Sequence, residues 1–138
     1  MNNLIIADAD ILISLAYKLD VNHEIISDLT RKILATEYIV KFPNTAILEA
    51  ITALKRGLNE SSLSTLINTN YKEDYFSIIY VDEKIQKRAS SIFHNFISKQ
   101  DTIFDAIVIS TAEIYNAKAI FSMDKLYKKY FTLVQDII

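Results

Sequence analysis

The stretch IIADADIL, residues 5–12, runs three apolar or small residues straight into a pair of carboxylates, Asp8 and Asp10, and then returns to apolar residues. Its apolar run does not alternate, so residues 3–7 are predicted to form a short strand buried on both faces. Residues 10–19 are predicted to form a helix with Ile11, Leu12, Leu15 and Leu19 on its inward side. The two acids therefore fall where a buried strand ends.

The same alternation extends along the chain. A helix is predicted over 22–36 and a strand over YIVKF, 38–42. Pro43 and Asn44 then open a helix that Lys55, Arg56 and Gly57 close with a basic last turn and a C′ glycine. Next come a helix at 60–70, a strand FSIIYV at 76–81, and helices at 82–99 and 102–116. A strand KAIFS at 118–122, a short helix at 124–130 and a last strand FTLVQ at 131–135 complete the pattern. Strands alternating with helices, several of the strands continuously apolar, predict an α/β fold. The expectation is one domain over residues 1–138, with a mostly parallel central sheet of about four to five strands and helices on both faces. Ligands in such folds sit beyond the carboxyl ends of the strands, where Asp8 and Asp10 lie.

Composition narrows the chemistry. A chain of 138 residues is the size of one ordinary domain and buries roughly two-thirds of its unfolded surface. It is 51% hydrophobic with mean hydropathy +0.17. The apolar residues nevertheless come in short bursts, well under the ~18 to 20 of a membrane span. No basic segment and cleavage site open the chain, so a cytoplasmic protein without membrane contact is expected. The absence of cysteine excludes disulfides, zinc–thiolate sites and thiol nucleophiles. A single Gly and a single Pro leave no Walker or dinucleotide-binding loop. The net charge of −2 confines any nucleic-acid contact to a local patch. Eight Tyr and seven Phe in so apolar a chain suggest surface covered by a second copy or a partner.

The acids each have two readings. Asp10 suits a helix N-cap as well as a site carboxylate, and Asp8 is harder to explain as a cap. Thr102-x-x-Asp105 fits a capping box, yet Asp105 also heads a helical face that continues through Val108, Ile109 and Ala112. An unpaired charge there is costly. Asp124 follows the strand KAIFS at a helix start, where the helix dipole accounts for it equally well. Glu49 lies opposite the stripe Ile47, Ile51, Leu54 and Leu58, so periodicity predicts a solvated glutamate. Together the set suits the hard-oxygen chemistry of Mg²⁺ or Mn²⁺, ions that activate water and clamp a phosphodiester. His23 and His94 lie apart from these acids and are assigned no role. EKIQKR, 83–88, is read as a solvated face with Glu83 pairing to Lys87.

The strand running into DADIL, the glutamate on the helix after the second strand, and FDAIVISTAEIYNAKAIFSMDK with its Asp105-to-Asp124 spacing carry a family resemblance. Over nearly its whole length the chain resembles a PIN domain, most like the toxin of VapBC-type toxin–antitoxin pairs. The resemblance implies that Asp8, Glu49, Asp105 and Asp124 are catalytic and hold one or two divalent metals, Mg²⁺ or Mn²⁺. Ser122 takes the place of the usual Thr and keeps its hydroxyl. Asp10 stands where Asn or Ser is common, and either adds a metal contact or caps. Asp101, one turn before Asp105, is an outer carboxylate or helix-start solvation. The implied activity is metal-dependent hydrolysis of single-stranded or structured RNA, leaving a 5′-phosphate and a 3′-hydroxyl. The implied partners are an antitoxin whose tail fills a groove and blocks the cleft, and a second copy in a homodimer.

Arg56, two turns beyond Glu49, and Lys125, beside Asp124, are candidate RNA phosphate contacts, or simply solvated charges at helix ends. Tyr127, Tyr130 and Phe131 suit base stacking or core packing. Two alternatives stand beside the nuclease. DADIL also resembles the Asp-x-Asp start of haloacid-dehalogenase-type phosphatases, with Asp8 as nucleophile and Asp10 as general acid, although Leu12 stands where Thr or Val is usual. The third is a non-catalytic module that binds RNA or protein.

Overall fold

The computed structural model describes residues 2–138. The elements are β1 (Leu4–Ala7), α1 (Ala9–Ala16), α2 (His23–Leu34), β2 (Ile39–Pro43), α3 (Asn44–Thr52), α4 (Ser61–Lys72), β3 (Ile78–Ile79), α5 (Glu83–His94), α6 (Ile103–Ile114) and β4 (Ala119–Phe121). A π-helical turn at Ala53–Gly57 and 3₁₀ turns at Lys125–Lys129 and Val134–Asp136 complete them. The four strands lie in the order β3-β2-β1-β4 and every pairing is parallel. Ile5 and Ile6 of β1 pair with Val40 and Lys41 of β2 on one side, and with Ala119 and Ile120 of β4 on the other.

Successive residues of β1 face opposite ways, and both directions are apolar. Ile6 and Ile120 join a core with Ile85, Ala89 and Ile92 of α5 and Ala106 and Ile109 of α6. Ile5, Ala7, Ala119 and Phe121 meet Ile11 of α1 and Ile26 and Ile33 of α2 on the other face. The continuously apolar strands are thus the expected ones for a sheet covered on both sides. A third cluster, Ala9, Leu12, Ala46, Ile47, Ala50, Leu54 and Ile67, packs α1, α3 and α4 together. Among the described residues no helix is long and apolar enough to cross a membrane.

Several predicted boundaries differ, and the strand predicted over 76–81 shortens to the two residues of β3. FTLVQ is not a ladder strand: Leu133 makes one isolated parallel bridge to Ile120, with the Ile120 N–H donating to the Thr132 carbonyl at 2.9 Å. Leu133 and Val134 are buried in opposite cores, and the 3₁₀ turn that begins at Val134 ends the pairing. The first helix stops at Ala16 because Tyr17 turns extended. Ser14 Oγ donates to Asp20 Oδ2 at 2.8 Å, folding the chain back and leaving Leu19 81% exposed instead of inward. The helix predicted over 82–99 ends at His94, where the Asn95 N–H bonds to Ile92 and Phe93 carbonyls.

Gly57 is not a left-handed C′ residue. It closes the π turn without a positive φ, and Asn59, two residues on, takes the left-handed conformation at φ 55°. The Leu58 N–H reaches back to the Ala53 carbonyl at 3.0 Å, which adds the extra residue of a π turn.

Candidate functional site

The chain builds β1, β2 and β3 outward in one direction and then returns to lay β4 on the other side of β1. The carboxyl ends of β1 and β4 therefore flank the point where the winding reverses, the usual crevice for ligands in an open parallel sheet. Asp8 leaves the end of β1 and Ser122 the end of β4, both buried.

Asp8 rather than Asp10 is the N-cap of α1. Its Oδ1 accepts the Ala9 N–H at 2.7 Å, and its Oδ2 accepts the Tyr127 hydroxyl at 2.8 Å. Asp10 sits in the first turn of α1, with Oδ2 accepting from Ser122 Oγ at 3.0 Å and from the Met123 N–H at 2.8 Å. Ser122 Oγ in turn accepts the Asp124 N–H at 3.0 Å. Asp124 is exposed and uses Oδ1 to cap the 3₁₀ turn through the Leu126 N–H at 2.9 Å.

Both readings of Asp105 hold at once. Its Oδ2 accepts the Thr102 N–H at 2.7 Å and its own N–H donates to Thr102 Oγ1 at 3.3 Å, a complete capping box. Its Oδ1 faces inward and lies 3.2 Å from the Tyr127 hydroxyl, and the residue is only 9% exposed.

Glu49 departs from its periodicity. It is half-buried and close enough to Asp8, Asp10 and Asp105 for charge repulsion. The buried residues of α3 are Ala46, Ile47 and Ala50, followed by Leu54, whereas Ile51 is partly exposed and Leu58 is exposed. Two alanines, small enough to be overlooked in a hydrophobic stripe, swing the buried face toward Glu49. An open apolar groove of about 380 Å³, lined by Thr45, Leu48, Glu49, Thr52, Ala53 and Phe104, leads away from it.

The electrostatics record this convergence. Burial, then repulsion from Asp10 and Glu49, raises Asp8 well above the usual carboxylate range. Burial and Asp124 raise Asp10. Burial followed by Asp105 and Asp10 pushes Glu49 up to about 7. Asp105 is raised by burial and by Asp124, against the opposing pull of its Thr102 and Tyr127 hydrogen bonds. The ion pairs among the described residues, Arg31–Asp28, Lys87–Glu83 and Arg88–Glu113, all lie elsewhere. Five carboxylates, Asp8, Asp10, Glu49, Asp105 and Asp124, thus crowd one crevice without a cationic side chain paired to any of them.

The donor chemistry fits a hard divalent cation. Every candidate ligand atom is a carboxylate or hydroxyl oxygen, and Asp10 Oδ1 is buried with no hydrogen-bond partner. As the side chains lie, no three acids among the described residues are gathered closely enough to chelate one ion. Asp8 and Asp105 are turned onto Tyr127, and Asp10 onto Ser122 and Met123. The crowd of acids is present, and its side chains are held by hydrogen bonds.

The remaining candidates lie around this centre or apart from it. Asp101 lines a separate hollow with His94, Ser98 and Lys99. Arg56 and Lys125 are exposed. The predicted pair of Glu83 and Lys87 forms at 2.7 Å. His23 Nδ1 lies 2.6 Å from the Ser14 carbonyl oxygen. Tyr127, grouped in the sequence with stacking or core aromatics, is fully buried and also hydrogen-bonded within the acidic crevice. Nothing in the sequence set its hydroxyl apart, because the acids it meets lie on other elements.

Comparison with known proteins agrees with this architecture. The chain shares the fold of VapC20 from Mycobacterium tuberculosis, a toxin that cleaves the sarcin-ricin loop, with a TM-score of 0.77 at 14% identity over 91% of this chain and 93% of that one. A chain of a toxin–antitoxin complex from Klebsiella pneumoniae matches with a TM-score of 0.57 at 17% identity over 89% of each chain. No curated protein matches the sequence. The PIN domain model matches residues 5–131, which takes in all five acids, and the chain belongs to the PIN domain family.

Proposed function

We propose that this protein is a Mg²⁺- or Mn²⁺-dependent endoribonuclease that hydrolyses phosphodiester bonds in single-stranded RNA, including single-stranded parts of structured RNA. The observation that carries this reading is the gathering of five acids from separate chain segments at the β1–β4 crevice with no paired cation. A scaffold that merely bound RNA or protein would gain nothing from such uncompensated charge, which costs stability. The phosphatase alternative rests on Asp8 and Asp10 and gives no role to Glu49 and Asp105, whose carboxyls are raised by burial and by other acids of the crevice.

In this reading Asp8, Glu49, Asp105 and Asp124 hold the metal, which when bound lowers the pKa of water and neutralises charge developing on phosphoryl oxygens. Asp10 and Ser122 brace the segment from Met123 to Asp124 through the hydrogen bonds already described. Arg56 and Lys125, both exposed, attract the phosphate backbone. Water oxygen forms the new bond to phosphorus, the bond to the 3′ oxygen breaks, and that oxygen takes a proton. The products are a 5′-phosphate and a 3′-hydroxyl.

The same reading makes the protein a cytoplasmic toxin of the VapBC type, paired with an antitoxin and assembled as a homodimer. Its similarity in fold to a sarcin-ricin-loop-cleaving toxin and to a chain of a toxin–antitoxin complex supports this. The test is incubation of the purified protein with synthetic single-stranded and hairpin RNAs, with Mg²⁺, Mn²⁺ or a chelator. Metal-dependent cleavage leaving 5′-phosphate ends is expected, and it should disappear in Asp8→Asn. Intact RNA alongside metal-dependent hydrolysis of a simple phosphomonoester would favour the phosphatase instead.

A further inference from the structure

We infer that Tyr127 is a positioning residue, its single hydroxyl tying Asp8 and Asp105 together so that both carboxylates stay turned into the crevice that takes a divalent cation. The inference rests on the proposed metal-dependent reading and concerns a residue outside the acidic set itself.

Asp8 and Asp105 come from different elements, the end of β1 and the first turn of α6. Each is gripped by its own backbone through one oxygen: Asp8 Oδ1 by the Ala9 N–H and Asp105 Oδ2 by the Thr102 N–H. The other oxygen of each turns to Tyr127, at 2.8 Å for Asp8 Oδ2 and 3.2 Å for Asp105 Oδ1. Both carboxylate planes are therefore fixed from two sides. Tyr127 is the side chain that hydrogen-bonds to both acids.

The phenol is a rigid post. Its ring is completely buried in the core formed by β1, β4, α5 and α6. Its backbone carbonyl is anchored by the Tyr130 and Phe131 N–H groups at 2.9 and 2.8 Å, and Asp124 caps the turn that carries it. A phenylalanine would fill the same apolar space, so packing does not explain the hydroxyl. A buried hydroxyl is costly unless bonded, and this one ends between two acids. It carries one proton, which it can donate fully to only one of them.

Groups that orient metal-binding carboxylates typically contribute about 10- to 100-fold to metal affinity. The experiment measures Mn²⁺ affinity by electron paramagnetic resonance in wild type, Tyr127→Phe and Tyr127→Met, with circular dichroism and urea unfolding in chelator as checks on the fold. Both variants are expected to bind Mn²⁺ about 10- to 100-fold more weakly, although the Met variant, which loses the ring, should be the less stable of the two. Purely structural damage would instead make affinity follow stability. In the Tyr127→Phe background, Asp105→Asn is expected to cost less affinity than in wild type, because the two changes remove one linked arrangement. Wild-type affinity in folded Tyr127→Phe would overturn the inference and leave the metal reading standing. Failure of wild type itself to bind Mn²⁺ would overturn both.

Discussion

Ser122 Oγ lies 3.0 Å from Asp10 Oδ2, joining the end of β4 to the first turn of α1 across 112 residues of chain. The hydroxyl also accepts the Asp124 N–H, so one buried side chain ties two acids to the same strand end. Removing it leaves Asp10 with the Met123 N–H alone on that oxygen and no partner on the other. Ser122→Ala is expected to lower the unfolding free energy by about 1.5–3 kcal/mol, the range for hydrogen bonds to charged groups, as measured in urea. An unchanged midpoint and slope would mean that the hydroxyl does not carry this contact.

Gly57 gives a test of the local backbone. Its φ is not in the left-handed region and a Cβ added there meets nothing within 4 Å. Gly57→Ala is therefore expected to stabilise the protein by about 0.5–1 kcal/mol through the unfolded chain's lost freedom. A left-handed helix-ending glycine, as periodicity and the basic turn suggested, would make the same change destabilising.

The acidic crevice sets a pH dependence in chelator. Glu49, at about 7 in the folded protein, lies above its unfolded value of roughly 4.3. Between these values the folded state binds more protons, so stability is highest below the lower one and falls as pH rises through the upper. Asp8, Asp10 and Asp105 are raised too and act in the same direction. Urea midpoints are expected to fall from pH 5 to pH 8, and Glu49→Gln should make that fall shallower. An identical slope in the variant would place Glu49 in solvent.

Activity should divide the acids by position. Asp8→Asn and Asp105→Asn are each expected to reduce RNA cleavage by about a hundredfold or more, comparable to removing one preorganised charge-stabilising group. Asp101→Asn, whose carboxylate lies in a separate hollow, should stay within about twofold of wild type, as expected for a surface change away from the site. A comparable loss in Asp101→Asn would move the active centre toward the loop between α5 and α6.

The parts of this arrangement legible from sequence are those governed by local pattern. The non-alternating run before Asp8 revealed β1, and an acid at or shortly after the end of each of two apolar strands indicated the sheet edge. What escaped depended on packing between elements. Ala46 and Ala50 bury α3 on a side that larger residues do not mark, which hid the inward turn of Glu49. Leu133 and Val134 enter opposite cores from an irregular segment, so an apolar run looked like a strand. Tyr127 has the composition of a core residue, and only its neighbours across the crevice distinguish its hydroxyl.

The most direct test of a shared metal site is Mn²⁺ binding, followed by electron paramagnetic resonance, in wild type, Glu49→Gln and Asp105→Asn after each is shown to be folded. These acids sit on α3 and α6, and the Asp105 carboxylate lies near enough to raise the Glu49 carboxyl. Binding by wild type and marked weakening in both variants is the predicted result. Wild-type affinity in both variants, or no binding by wild type at all, would contradict a metal centre built from these acids.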